Sequence, residues 1–277
     1  MRSSQISLPR IVRARRGLRW LSLFGPTLGL GLGLAGCAHA PVILPEPELA
    51  AEAASAAAQG RCPKMAPGTL QEITDSPAAP YFVHHPTQQT DETPTVLFLP
   101  GGSGTRTIAQ DFIWKNWLSR GRRLSEVRVI VPYFPNKEHM TRAEAVRALR
   151  IREEALACYG GKKERVHLGG TSNGGRHAFF LMTAAPERFA SLLGAPGVFP
   201  IKLSDERLTA ALRGRPIYNG VGAADPDWKP EVQATQRRLE GLGLRSTYVE
   251  FPEQGHIVND KFDPSGFFDF WLDGPPK

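Results

Sequence analysis

The chain has 277 residues, with 34 Lys and Arg against 27 Asp and Glu and a formal charge of +7. That positive balance does not describe a folded surface, because Arg2, Arg10, Arg13, Arg15, Arg16 and Arg19 all lie in a stretch without acidic residues. Without those six arginines the +7 falls to +1, which excludes nucleic acid as a partner, since phosphate binding needs Lys and Arg clustered on the folded domain.

In chain order, the arginine-rich start is followed by an apolar, glycine-punctuated run over residues 21–36. This is the order of a secretory signal, and the run is short for a membrane-spanning helix, which needs about 20 apolar residues. The run ends Leu34-Ala35-Gly36-Cys37, which resembles the lipobox of bacterial lipoproteins. The resemblance implies that Cys37 becomes the first mature residue and carries a lipid, so residues 1–36 read as a signal peptide. With Ala38 rather than Asp next to it, the resemblance further implies a lipid-anchored protein of the cell envelope, at the periplasmic face of the outer membrane. Residues 37–60, rich in Ala, Pro and Glu, bury too little to order themselves and read as a tether. Residues 61–277 then form one domain with a sizeable core. Export would place Cys62 and Cys158 in an oxidising compartment, where they are either bridged or two separate thiols.

The domain alternates strands and helices. Residues 70–74 and 81–84 read as two short edge strands, and residues 95–99 as a buried strand running into Pro100-Gly101-Gly102-Ser103-Gly104. A helix over 111–119, a strand over 127–131 and a long helix over 142–159 follow. Residues 166–168 form the strand that enters Gly170-Thr171-Ser172-Asn173-Gly174, and a helix over 175–184 leaves it. Further strands are expected at 189–193, 217–221 and 247–251, with helices at 231–242 and 267–272. Such alternation implies a mainly parallel sheet of about eight strands with helices on both faces, and ligands bind beyond the carboxyl ends of its strands. Residues 194–215 leave room for one helix and no large cap.

A glycine on each side of Ser172 allows a sharp strand-to-helix turn with the hydroxyl at its crest. Asp225 and His256 each follow a strand of their own, giving the chain order nucleophile, acid, histidine. Here the sequence resembles the α/β-hydrolase family from about residue 68 to 273. The resembling pieces are Pro100 to Gly104, Gly170 to Gly174, Gly222-Ala223-Ala224-Asp225 and Gln254-Gly255-His256. The resemblance implies Ser172 as nucleophile, His256 as base and Asp225 as the acid that orients it, with backbone N–H groups of Asn173 and Gly102 as the oxyanion hole. A serine hydroxyl needs such a base, and the imidazole needs such a carboxylate. Within the loops, Asp227 can replace Asp225, Glu253 is more distant, and Ser103 can replace Gly102.

The expected activity is a serine carboxylic-ester hydrolase working through an acyl-enzyme, without cofactor or metal, on a small-molecule or polymer ester. The short spacing and the Ser172-Asn173-Gly174-Gly175 turn look most like the branch containing polyhydroxybutyrate-depolymerase-like and feruloyl-esterase-like proteins. The same machinery serves a peptidase or thioesterase, and a catalytically silent envelope-binding lipoprotein is the alternative from another class. H-E-x-x-H does not occur in the sequence, and the turn around Ser172 has no phosphate-loop spacing. The sequence leaves the oligomeric state undefined. Phe112, Trp114, Trp117, Tyr133, Phe134 and Trp228 are candidates for a substrate pocket or for core packing.

Overall fold

A computed structural model describes residues 62–135, 139–199 and 203–275. The signal, Cys37 and the tether lie outside the described residues, as does Arg61. Eight strands form one sheet: β1 (Leu70–Ile73), β2 (Tyr81–His84), β3 (Thr95–Leu99), β4 (Arg128–Pro132), β5 (Val166–Gly170), β6 (Leu192–Gly194), β7 (Ile217–Gly222) and β8 (Ser246–Phe251). Their order is β1-β2-β4-β3-β5-β6-β7-β8. The pairs β1–β2 and β2–β4 are antiparallel and all others parallel. Among the described residues five α-helices, α1 (Arg142–Tyr159), α2 (Asn173–Ala184), α3 (Asp205–Leu212), α4 (Trp228–Gly241) and α5 (Ser265–Asp273), join a π-helical segment, Ile108–Trp114.

The period of two along β3 decides which layer each residue joins. Val96 and Phe98 pack with Trp117, Phe267, Phe268 and Trp271 on one face, where α5 and the π-helical segment lie. Leu97 and Leu99 pack with Leu149 of α1 and Phe179 of α2 on the other. A strand covered on both faces has no polar side, which is why residues 95–99 read as an unbroken apolar run.

Helix α1 is fixed at both ends. At its start the Thr141 hydroxyl accepts from the Glu144 N–H, while the Glu144 carboxylate accepts from the Thr141 N–H at 2.6 Å. At its end the fully buried Arg128 guanidinium donates to the carbonyls of Tyr159 and Gly160, both at 2.7 Å. Burial pushes Arg128 down to about 10, and the negative end of α1 offsets the cost of the buried cation. Cys158, in the last turn of α1, is disulfide-bonded to Cys62, with Cα atoms 5.2 Å apart.

Four elements differ most from expectation. β2 is not an edge strand; it lies between β1 and β4 and is buried along its length. β6 spans Leu192–Gly194 rather than 189–193. The helix expected over 111–119 begins earlier and is wound with π geometry over Ile108–Trp114. α4 begins at Trp228 rather than 231, because Pro230 falls in the first turn, where its missing N–H would have no intrahelical partner anyway.

His167, in β5, is buried with Nδ1 2.8 Å from the Ser191 hydroxyl. Its Nε2 has no hydrogen-bond partner among the described residues. Burial, helped by nearby Arg165, pushes this imidazole down to about 4, so it is neutral in the fold near neutral pH. A depressed pKa means that the unfolded chain takes up the proton first. His167 therefore contributes full stability above the unfolded value near 6.5 and loses it as pH falls from there towards 4, about 3 kcal/mol in all. Urea denaturation between pH 7 and 4.5 is expected to give a shallower fall for His167→Gln than for wild type. Equal slopes would show that the stability lost on acidification comes from other groups.

Candidate active site

The site is built at the carboxyl ends of β5, β7 and β8. β5 runs straight into Ser172, whose backbone takes φ 57° and ψ −123°, a sparsely populated conformation for a residue with a side chain. The surroundings hold it there: the Ser172 N–H donates to the Pro196 carbonyl at 2.9 Å, and the Arg176 N–H donates to the Ser172 carbonyl at 3.0 Å. The flanking glycines are needed for space. A Cβ at position 170 would lie 2.3 Å from the Gly174 carbonyl oxygen, and one at 174 would lie 2.1 Å from that of Leu99. Without those side chains, α2 starts close against β3 and β5 and presents its positive end to the hydroxyl.

Ser172 Oγ is 3.0 Å from His256 Nε2, and His256 Nδ1 is 2.9 Å from Asp225 Oδ2. Asp225 is almost fully buried, at 1% side-chain exposure, whereas His256 is one-third exposed. The second oxygen of Asp225 accepts from the N–H groups of Asp227 and Trp228, at 3.3 and 3.1 Å. These donors belong to the start of α4, where negative charge is favoured. Of the three acids weighed from sequence, Asp225 meets the imidazole. Asp227 is exposed and offers its backbone N–H to Asp225, and the Glu253 side chain also faces solvent.

The loops that carry the acid and the histidine are tied together. The N–H groups of Ala223 and Ala224 donate to the carbonyls of Phe251 and Gln254, at 2.9 and 2.8 Å. Gln254 and Asn259 then close a ring across the histidine loop: the Asn259 N–H donates to Gln254 Oε1 at 2.8 Å, and Gln254 Nε2 donates to Asn259 Oδ1 at 3.1 Å. Neither residue stood out in the sequence beyond Gln254 preceding Gly255-His256, because the pairing is a loop contact without periodicity.

The loop after β3 reaches Ser172 from the other side. At position 101 a Cβ would lie 3.0 Å from Ser172 Cβ, so the peptide that carries the Gly102 N–H runs beside Ser172. The Asn173 side chain donates to the Gly102 carbonyl at 3.0 Å and fixes the following peptide, the one that carries the Ser103 N–H. Sequence reasoning used only the backbone of Asn173. Among the described residues neither the Gly102 nor the Asn173 N–H donates to another carbonyl. The arrangement thus offers a hydroxyl, a base and two donors, the parts needed to attack an acyl carbon and hold the resulting oxyanion.

Of the aromatic candidates, Trp117 packs against Phe262 in the core, Trp114 lies against His84, and Phe134 is buried. Trp228 lies against His256. His177 is buried within α2.

A scan against protein-family models finds no match, and neither does a search of curated proteins by sequence. Solved structures do match. A carboxylesterase from Mesorhizobium loti aligns at 21% identity with a TM-score of 0.56, over 74% of this chain and 99% of that one. A CE1 ferulic acid esterase from the anaerobic fungus Anaeromyces mucronatus aligns at 16% identity and 0.52, over 73% and 88%. A thermostable esterase aligns at 19% identity and 0.54, over 67% of this chain but 54% of that one, so the chain spans about half of that protein's length. At such identities the likeness establishes the fold, which is the α/β-hydrolase fold.

If Asp225 orients the base, Asp225→Asn should slow fluorophosphonate labelling of Ser172 by about 10³-fold or more, while Asp227→Asn should change it less than tenfold. Equal effects of the two substitutions would remove Asp225 from this role.

Proposed function

We propose that the chain is a serine hydrolase of carboxylic esters that works through an acyl-enzyme at Ser172. The observation that carries this reading is the unbroken line from Asp225 through His256 to Ser172, set on a strained turn. In this reading His256 Nε2 takes the Ser172 proton as Oγ attacks the ester carbonyl. The oxyanion receives the N–H groups of Asn173 and Gly102, each worth about 3 to 4 kcal/mol of barrier. His256 then gives the proton to the leaving alcohol. Water, activated by the same imidazole, releases the acid.

Open access favours esters that reach the site without a lid. Residues 195–216, between β6 and β7, contain one eight-residue helix, α3, among the described residues. The three neighbouring proteins are named as esterases, one of them for ferulic acid, which supports esters of small acids or of polymers. Placement in the branch of polyhydroxybutyrate-depolymerase-like and feruloyl-esterase-like proteins belongs to this proposal. So does location: the ending Leu34-Ala35-Gly36-Cys37 supports lipid attachment at Cys37, with residues 37–60 as a tether that keeps the domain at the periplasmic face of the outer membrane.

Two measurements test the proposal. Residues 61–277, produced as a folded domain, should hydrolyse p-nitrophenyl acetate and butyrate and react with a fluorophosphonate, and Ser172→Ala should do neither. Folded wild type that neither turns over nor reacts would favour a binding role, and preference for thioester or amide analogues would move the substrate class. For the anchor, cells expressing the full chain should incorporate radiolabelled palmitate into it, and Cys37→Ser should abolish incorporation. Equal labelling of both would refute attachment at that residue.

A further inference from the structure

Trp228 touches both partners of the nucleophile. Its backbone N–H donates to Asp225 Oδ1 at 3.1 Å, and its indole lies over the His256 ring with centroids 5.5 Å apart and planes inclined by 18°. The indole is itself held in place: the Arg176 guanidinium of α2 sits 4.4 Å from the Trp228 ring centroid and pairs with Glu231, one turn further along α4, at 3.1 Å. Arg176 lies one turn after Ser172, so the Trp228 side chain spans from the nucleophile's helix to the base.

Hydrogen bonds alone leave His256 underdetermined. Its two nitrogens are bound at opposite edges of the ring, to Asp225 and to Ser172. Those two bonds define an axis, and rotation of the imidazole about that axis hardly changes either length. The ring stands one-third exposed on a loop, where such rocking would be easy. A flat surface parallel to the ring blocks it. The same surface gains attraction when the imidazole becomes cationic during proton transfer, since an aromatic face attracts a cation.

We propose that Trp228 is a positioning residue for His256, fixing the tilt of the imidazole that the two hydrogen bonds leave free. The proposal rests on the reading of Ser172, His256 and Asp225 as a catalytic unit. Its effect should fall on the chemical step, because misorientation of the base lowers turnover without loosening substrate.

The test compares Trp228→Leu, which keeps apolar bulk but no flat face, with Trp228→Phe, which keeps the face. With p-nitrophenyl acetate, Trp228→Leu should lower kcat about tenfold with KM within about threefold, and Trp228→Phe should recover most of the loss. Proton NMR supplies a readout independent of turnover: the His256 ring protons, assigned by their absence in His256→Asn, should be shifted upfield by the indole in wild type and lose that shift in Trp228→Leu. A kcat for Trp228→Leu within twofold of wild type overturns the proposal, as does a raised KM with unchanged kcat, or equal losses in the two variants. If wild type neither hydrolyses esters nor reacts with the fluorophosphonate, the hydrolase reading fails on its own account. The ring-current shift then decides the stack by itself, and its absence overturns the inference.

Discussion

The constraint on which the site depends is the positive-φ backbone at Ser172. A residue with a side chain held there costs about 1–3 kcal/mol and persists only where its surroundings over-determine it. They do so here through short links from every side: the Ser172 N–H to Pro196, the Thr171 N–H to Leu99 at 3.3 Å, and the Ala195 N–H to Gly170 at 3.0 Å. These links come from the strands on either side of β5, β3 and β6. The parallel register of the central sheet is thus what keeps the turn in place, and the turn aims the hydroxyl at the histidine.

A second requirement is that three segments far apart in sequence end at the same height. Parallel pairing provides it. β7 and β8 are in register from Ile217 opposite Ser246 to Gly222 opposite Phe251, so the acid and histidine loops leave the sheet together. The backbone bonds from Ala223 and Ala224, and the ring closed by Gln254 and Asn259, then convert equal height into fixed geometry. Burial is graded along the line as well, with the carboxylate enclosed and the imidazole open to solvent.

Much of this was legible in the sequence. The unbroken apolar run of residues 95–99, the glycines around Ser172 and the strand ends before Asp225 and His256 predicted the sheet and the residues it brings together. These signals are local: a period, a steric need for glycine, a turn. What stayed hidden involves a choice of partner. Asp225 and Asp227 are alike in sequence, and only the start of α4, obscured by Pro230, decides which of them is turned inward and which is left outside. The Asn173 side chain, the Gln254–Asn259 pair and the Trp228 stack are likewise contacts made at helix starts and within a loop, and no periodicity announces them. The strand expected at 189–193 is present but starts later for a related reason, since Phe189 is apolar and buried without its backbone joining the ladder.

The link between Cys62 and Cys158 also governs how the domain bears load. β1, the first strand after Cys62, sits at the rim of the sheet and is held along one side by a four-residue ladder to β2. Traction on the chain ahead of Cys62 would unzip such a strand one bond pair at a time, were it the first element to feel the pull. The covalent bridge diverts that force into the last turn of α1, which Arg128 ties to the start of β4. The rim ladder is thereby taken out of the line of tension.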